Sequence, residues 1–189
     1  MRVRDLTNEA SPDTLEGSFT DDLVTSKRWL ADKLKQGYGD KCIGTIYILG
    51  SWYGNLALFL EQAGIVFEKL VLIDINDDVL KTSEQFLRPI FDPGQLVFLH
   101  TDASDMIYGD SGIVINTSIN DMGIDWYNNV PDNMRVVIQG RDAVSGPTRI
   151  ADMKQFTDMF PMNKTEYLGK KELRDPETEY TRYMKIGRK

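Results

Sequence analysis

The sequence predicts an α/β fold of three layers: a mostly parallel sheet with helices on both faces, closed by an antiparallel strand pair. Two observations carry that expectation. Short, wholly apolar runs such as Ile46-Tyr47-Ile48-Leu49 and Leu70-Val71-Leu72-Ile73 alternate with stretches of helical periodicity, and each run ends in turn chemistry. The tail behaves differently, with two β-like runs, 165–173 and 179–186, and no helical segment between them.

In chain order, residues 1–19 are polar, with a turn expected at Ser11-Pro12-Asp13. A helix follows, with Ser18 or Thr20 as its cap. Leu23, Leu30 and Leu34 fall at helical spacing with Trp29 beside them, and Gly37 and Gly39 break the chain. Residues 1–40 therefore read as an N-terminal segment and helix, a candidate lid on a domain formed by 41–189. A first strand over 45–49 ends in Gly50-Ser51-Trp52-Tyr53-Gly54, and Asn55 is the expected cap of a helix over 56–63 that stops at Gly64. A second strand over 70–73 ends at Asp74, and 77–87 reads as the next helix. Beyond a loop punctuated by Pro89, Pro93 and Gly94, a third strand over 96–99 leads into His100-Thr101-Asp102-Ala103. Strands are expected at 112–115 and 135–138, with Trp126 and Tyr127 as core aromatics of a helix before Pro131.

Composition narrows the function. With 189 residues the chain fits one domain, and 41% hydrophobic against 27% charged residues is ordinary for a soluble globular protein. The formal charge of −7 repels phosphate backbones and argues against free nucleic acid as a partner. The basic tail residues Arg182, Lys185, Arg188 and Lys189 read as a solvated end. Cys42 is the only cysteine, no apolar run reaches the ~20 residues of a membrane span, and the N-terminus lacks a signal-peptide pattern. The expectation is a cytoplasmic protein without a membrane partner. One cysteine and one histidine do not make a typical zinc site, so no metal is expected. Neither a nucleophile elbow nor a phosphate-binding lysine motif is present.

A parallel sheet binds ligands beyond the carboxyl ends of its strands, at the point where the strand order reverses. Gly50 and Gly54 bound a tight turn there, Asp74 is placed to accept from ribose hydroxyls, and Asp102 to accept from an adenine amino group. Each has a plainer reading: a tight turn for the glycines, a helix cap for Asp74 and Asp102, and a structural role for the lone His100.

Gly50-Ser51-Trp52-Tyr53-Gly54, Val71-Leu72-Ile73-Asp74 and His100-Thr101-Asp102-Ala103 together resemble the three cofactor motifs of the class I S-adenosylmethionine-dependent methyltransferases. The tail pair resembles the antiparallel strands of that Rossmann-like fold, and the resemblance spans 41–189. It implies S-adenosylmethionine as cofactor, contacted by Gly50, Ser51, Trp52, Tyr53, Gly54, Asp74, Ile75, Asp102, Ala103 and Asn116. The turn departs from the family's usual form in its bulk. Trp52 and Tyr53 would crowd a pyrophosphate at the following helix, which argues for the adenosyl cofactor over NAD. An aromatic face near the sulfonium is worth roughly 0.5–2 kcal/mol.

The loop Asn116-Thr117-Ser118-Ile119-Asn120-Asp121 is similar to a subgroup of small methyltransferase-like proteins with Asn-Thr-Ser at this point, where an acid and a histidine follow. Asn120 and Asp121 stand there instead. Methyl transfer requires chiefly alignment of nucleophile, methyl and sulfur, helped by a base within hydrogen-bond reach. Asp121 is the first choice for that base and Asp142 the second. Ser118, Gln139 and Arg141 are the expected substrate contacts, with Arg141 or Arg149 suited to a carboxylate or phosphate. The expected function is methyl transfer to a small molecule or to an exposed group of a larger partner. The alternative is a binding or scaffold protein that keeps the fold without turnover.

Overall fold

In the computed structural model, which describes residues 14–109, 111–143 and 146–189, helices and strands alternate through the first half of the chain. The turn expected at Ser11-Pro12-Asp13, and with it the start of the segment over 1–40, lies outside the described residues. A 3-10 turn (Glu16–Phe19) leads into α1 (Asp21–Tyr38). Strands β1 (Thr45–Leu49), β2 (Lys69–Asp74), β3 (Leu96–His100) and β4 (Ile113–Asn116) follow, with α2 (Asn55–Gln62) after β1 and α3 (Asp77–Leu87) after β2. Helix α4 (Asp125–Asn129) precedes β5 (Arg135–Arg141), and α5 (Met153–Met159) follows it. The antiparallel pair β6 (Lys164–Arg174) and β7 (Glu179–Arg188) closes the chain.

The strands form one seven-stranded sheet in the order β3-β2-β1-β4-β5-β7-β6. Neighbours from β3 to β5 are parallel, and β7 runs antiparallel to both β5 and β6. The chain winds outward from β1 through β3 and then returns to β4, so the order reverses between β1 and β4. That is where a parallel sheet leaves a crevice.

The apolar runs are continuous because both faces of the sheet are covered. Alternate side chains of one strand enter different cores. Leu70 and Leu72 of β2 pack with Leu30, Leu34, Phe59 and Leu60 of α1 and α2, whereas Val71 and Ile73 face Trp126, Phe156 and Phe160 of the α4 and α5 layer. Burying an aliphatic side chain of this size stabilises the fold by roughly 1.5–3 kcal/mol, so these two clusters hold the layers together. Among the described residues no helix is long and apolar enough to cross a membrane.

Four local expectations need correction. Asn55 is not a cap: Gly54 holds the N-cap position at φ +74°, and the Asn55 side chain instead donates to the Ser18 carbonyl at 2.5 Å. Strand β5 does not stop at 138 but continues to Arg141, held by its ladder with β7. Helix α5 lies in a stretch where none was expected. The basic tail is largely internal. Lys185 donates to the carbonyls of Thr157 and Phe160, and Lys189 to those of Tyr127, Asn128 and Val130. The two ammonium groups thus satisfy carbonyls around the ends of α5 and α4, where a cation is favoured.

Candidate functional site

A cleft of about 650 Å³ opens beyond the carboxyl ends of the central strands. Its walls are Gly50 and Trp52 after β1, Asp74 and Ile75 at the end of β2, and Thr101, Asp102, Ala103 and Ser104 after β3. Ser118, Asp121 and Met122 after β4 complete it, with Gly123, Asp125 and Pro147 at the rim. Asp74 and Asp102 share this one cleft.

The turn after β1 is built around Asp74. Trp52 adopts φ +50°, a left-handed conformation that costs a non-glycine residue of order 1–3 kcal/mol. In that conformation its N–H donates to Asp74 Oδ2 at 2.8 Å, while the Asn76 N–H donates to Oδ1 at 3.0 Å. Asp74 is therefore held by the backbone on either side and is not the cap of α3. That role falls to Asn76, whose Oδ1 accepts from the N–H groups of Asp78 and Val79. A carboxylate has about four acceptor positions, so two remain for a ligand's hydroxyls.

Gly50, at φ +56°, marks the close approach of the β1 turn to the β4 loop: a Cβ there would lie 2.9 Å from Ser118 Cβ. Ser118 Oγ donates to the Gly50 carbonyl at 3.1 Å, and the Ser118 N–H donates to Asn116 Oδ1 at 2.9 Å. Gly54 serves packing, since a Cβ there would run into Ser83 and Leu87 of α3. Ser51, Tyr53 and Asn116 are buried, so of the residues that the resemblance singles out, Gly50, Trp52, Asp74, Ile75, Asp102 and Ala103 line the cleft. Asp102 is exposed and accepts from the Ser104 N–H at 2.7 Å, which caps the 3-10 turn Ala103–Asp105. His100 lies outside the cleft lining, its Nε2 within 3.0 Å of the Ile75 carbonyl.

On the other wall, Asp121 is exposed to the cleft. Asn120 beside it is occupied: its amide group donates to the carbonyls of Arg141 and Thr148 and accepts from the Arg141 N–H. Gln139, Arg141 and Asp142 are not brought to the cleft. The reason is the length of β5, which carries Gln139 into the interior against Ser26 of α1. Arg141 pairs with Asp175 at 3.0 Å and stacks over the Tyr180 ring, and Asp142 accepts from the Thr181 N–H at 2.9 Å. Among the described residues no group of acidic, histidine or cysteine side chains could hold a metal ion.

Sequence reasoning passed over the polar face of α1. Lys27 Nζ donates to Thr117 Oγ1 at 2.5 Å, Arg182 Nε to Ser26 Oγ at 3.1 Å, and the Tyr180 hydroxyl to Asp22 Oδ2 at 2.7 Å. Burial pushes the Lys27 ammonium down to about 7, and the Arg182 charge adds to the effect. Burial also lowers Arg182. The signal was available: Lys27 shares helical spacing with Val24, Leu30 and Ala31, all of them buried.

Neither a family model nor a curated protein sequence matches the chain. Solved structures do. Magnesium protoporphyrin IX methyltransferase from Synechocystis, crystallised with bound SAH, superposes with a TM-score of 0.65 at 12% identity, over 97% of this chain and 91% of that one. A putative sarcosine dimethylglycine methyltransferase from Galdieria sulphuraria gives 0.66 at 10% identity, over 97% and 92%. A SAM-dependent methyltransferase from Aquifex aeolicus gives 0.60 at 11% identity, over 94% and 99%. With the 3-2-1-4-5-7-6 strand order, these likenesses extend over nearly the whole chain, which has the class I S-adenosylmethionine-dependent methyltransferase fold.

Proposed function

We propose that this protein is an S-adenosylmethionine-dependent methyltransferase whose acceptor is a small molecule or an accessible group of a larger partner. One observation carries the reading: Asp74 and Asp102, just beyond the ends of adjacent strands, line the same cleft, to which Trp52 also contributes. The residues present fit the cofactor. Asp74 keeps acceptor positions for two ribose hydroxyls, and Asp102 has a carboxylate oxygen without a protein partner among the described residues. Structural neighbours of this fold hold SAM or SAH, which adds weight.

When bound, the cofactor supplies a methyl group already activated by its sulfonium. The protein's part is to orient. Trp52, whose backbone N–H is bonded to Asp74, lines one wall of the cleft; Ser118 and Asp121 line the opposite wall. Asp121 is the residue assigned to take the acceptor's proton, and α1 is assigned as the cover of the acceptor side.

Calorimetry with S-adenosylhomocysteine tests the reading. The expected result is binding at a low micromolar Kd, weakened in Asp74→Ala by about tenfold or more, a loss of ~1.4 kcal/mol. Absence of binding by either adenosyl ligand, or a preference for NAD in a thermal-shift comparison, overturns it. One observation favours the non-catalytic alternative: the Asn120 amide is fully occupied by backbone, leaving Asp121 as the single side chain of that pair open to the cleft. A protein that binds the cofactor but does not consume it across a broad acceptor panel supports that alternative.

A further inference from the structure

Where α1 crosses the ends of β4, β5 and β7, two cations are buried without an anionic partner. Lys27 is 8% exposed and Arg182 6%. Lys27 makes a single hydrogen bond, to Thr117 Oγ1, and Arg182 makes one through Nε, to Ser26 Oγ. The Nη nitrogens of Arg182 have no protein partner among the described residues. An unpaired buried cation is costly, and two side by side more so.

The other charged groups facing the pair do not neutralise it. Asp22, on α1, accepts from the Tyr180 hydroxyl and acts on Arg182 from a distance. Arg141, on β5, adds positive charge and has its own partner in Asp175. Asp121, on the cleft wall, also reaches Arg182 with its field. When Lys27 is protonated, Lys27 and Arg182 against Asp22 leave one positive charge in excess within the buried cluster.

We propose that Lys27 and Arg182 form an anion subsite that takes one carboxylate group of the methyl acceptor. The word acceptor rests on the methyltransferase reading; the subsite does not. A carboxylate matches what is free here, the planar edge of a guanidinium and the remaining N–H donors of an ammonium. Its single charge matches the surplus, whereas a phosphate dianion exceeds it. The position also fits an acceptor. Thr117, which receives the Lys27 bond, is followed directly by Ser118, and Ser118 and Asp121 line the cleft. A molecule anchored by its carboxylate at Lys27 and Arg182 lies along the loop that presents those groups. Since burial holds Lys27 at about 7, a bound anion draws a proton onto it, and affinity falls as pH rises above that value.

The test uses the full chain with ¹³C-labelled lysine, following the Lys27 Cε resonance, assigned by its disappearance in Lys27→Met. Acetate, acetamide and inorganic phosphate are titrated separately. The expected result is that acetate moves the Lys27 titration midpoint upward, acetamide leaves it in place, and phosphate is weaker than acetate. Arg182→Gln is expected to weaken the acetate response by about tenfold or more, as loss of a charge-assisted bond implies. An absent acetate response, an equal response to acetamide, tighter binding of phosphate, or an unchanged response in Arg182→Gln overturns the proposal. The wild-type arms decide it even if the variant does not fold. S-adenosylhomocysteine calorimetry on the same sample separates the two readings: cofactor binding without an acetate response removes the subsite alone, and an acetate response without cofactor binding leaves the subsite standing and removes the methyltransferase.

Discussion

Trp52 shows how one residue couples backbone strain to a site. Its left-handed φ is unfavourable for a tryptophan, and the return is a backbone amide aimed at Asp74 on the wall of the cleft. Gly50, two residues earlier, has the opposite character, since its positive φ and the Ser118 side chain leave little room for a Cβ. Gly50→Ala sets a Cβ against Ser118 in a positive-φ position, and urea unfolding is expected to show a loss of about 2 kcal/mol or more. Lys27 gives a pH signature. Its folded value of about 7 lies below the ordinary 10.5, so between these values the unfolded chain holds a proton that the folded chain has released. Stability contributed by this residue is therefore lowest below that window and rises with pH across it. Between about pH 7 and about pH 9, the unfolding free energy of the wild type relative to Lys27→Met is expected to rise by about 2 kcal/mol. A flat difference contradicts the burial of this ammonium.

At the scale of elements, caps and ladders decide where the site residues fall. Asn76 receives two N–H groups at the start of α3, and Asn76→Ala is expected to cost about 1 kcal/mol by denaturant unfolding. The range of α3 was legible from its local helical pattern over 77–87, although the cap that the sequence offered was Asp74 and the structure gives that role to Asn76. Also legible were β1 and β2, whose apolar runs need no partner to be recognised. The end of β5 was not, because residues 139–141 are strand only through their pairing with Met184, Tyr183 and Arg182 of β7. The sequence therefore offers Gln139 and Arg141 as substrate contacts and Asp142 as a second-choice base, whereas the fold pairs them with Ser26, Asp175 and Thr181 away from the cleft. Asn55 failed as a cap through another long-range contact, its bond to the Ser18 carbonyl. Of the α1 polar cluster only the helical spacing of Lys27 was legible, because the members come from α1, β5 and β7 and meet only in the fold.

At the scale of the whole molecule, the reversal of strand order between β1 and β4 opens the crevice, and the motifs legible in the sequence are those that border it. The parallel half of the sheet sets Gly50, Trp52, Asp74 and Asp102 along the cleft, the wall proposed for the cofactor. The β4 loop brings Ser118 and Asp121 to the facing wall, proposed for the acceptor, and the Lys27–Thr117 bond ties α1 to that loop, a connection that sequence alone did not make. The central claim is that Asp74 and Asp102 grip opposite parts of one adenosine. The most direct measurement is a crystal structure with S-adenosylhomocysteine. The account predicts ribose hydroxyls within hydrogen-bond distance of Asp74, the adenine amino group beside Asp102, and the sulfur toward Ser118 and Asp121. Ligand density away from this cleft, or an adenosine that touches neither carboxylate, contradicts it.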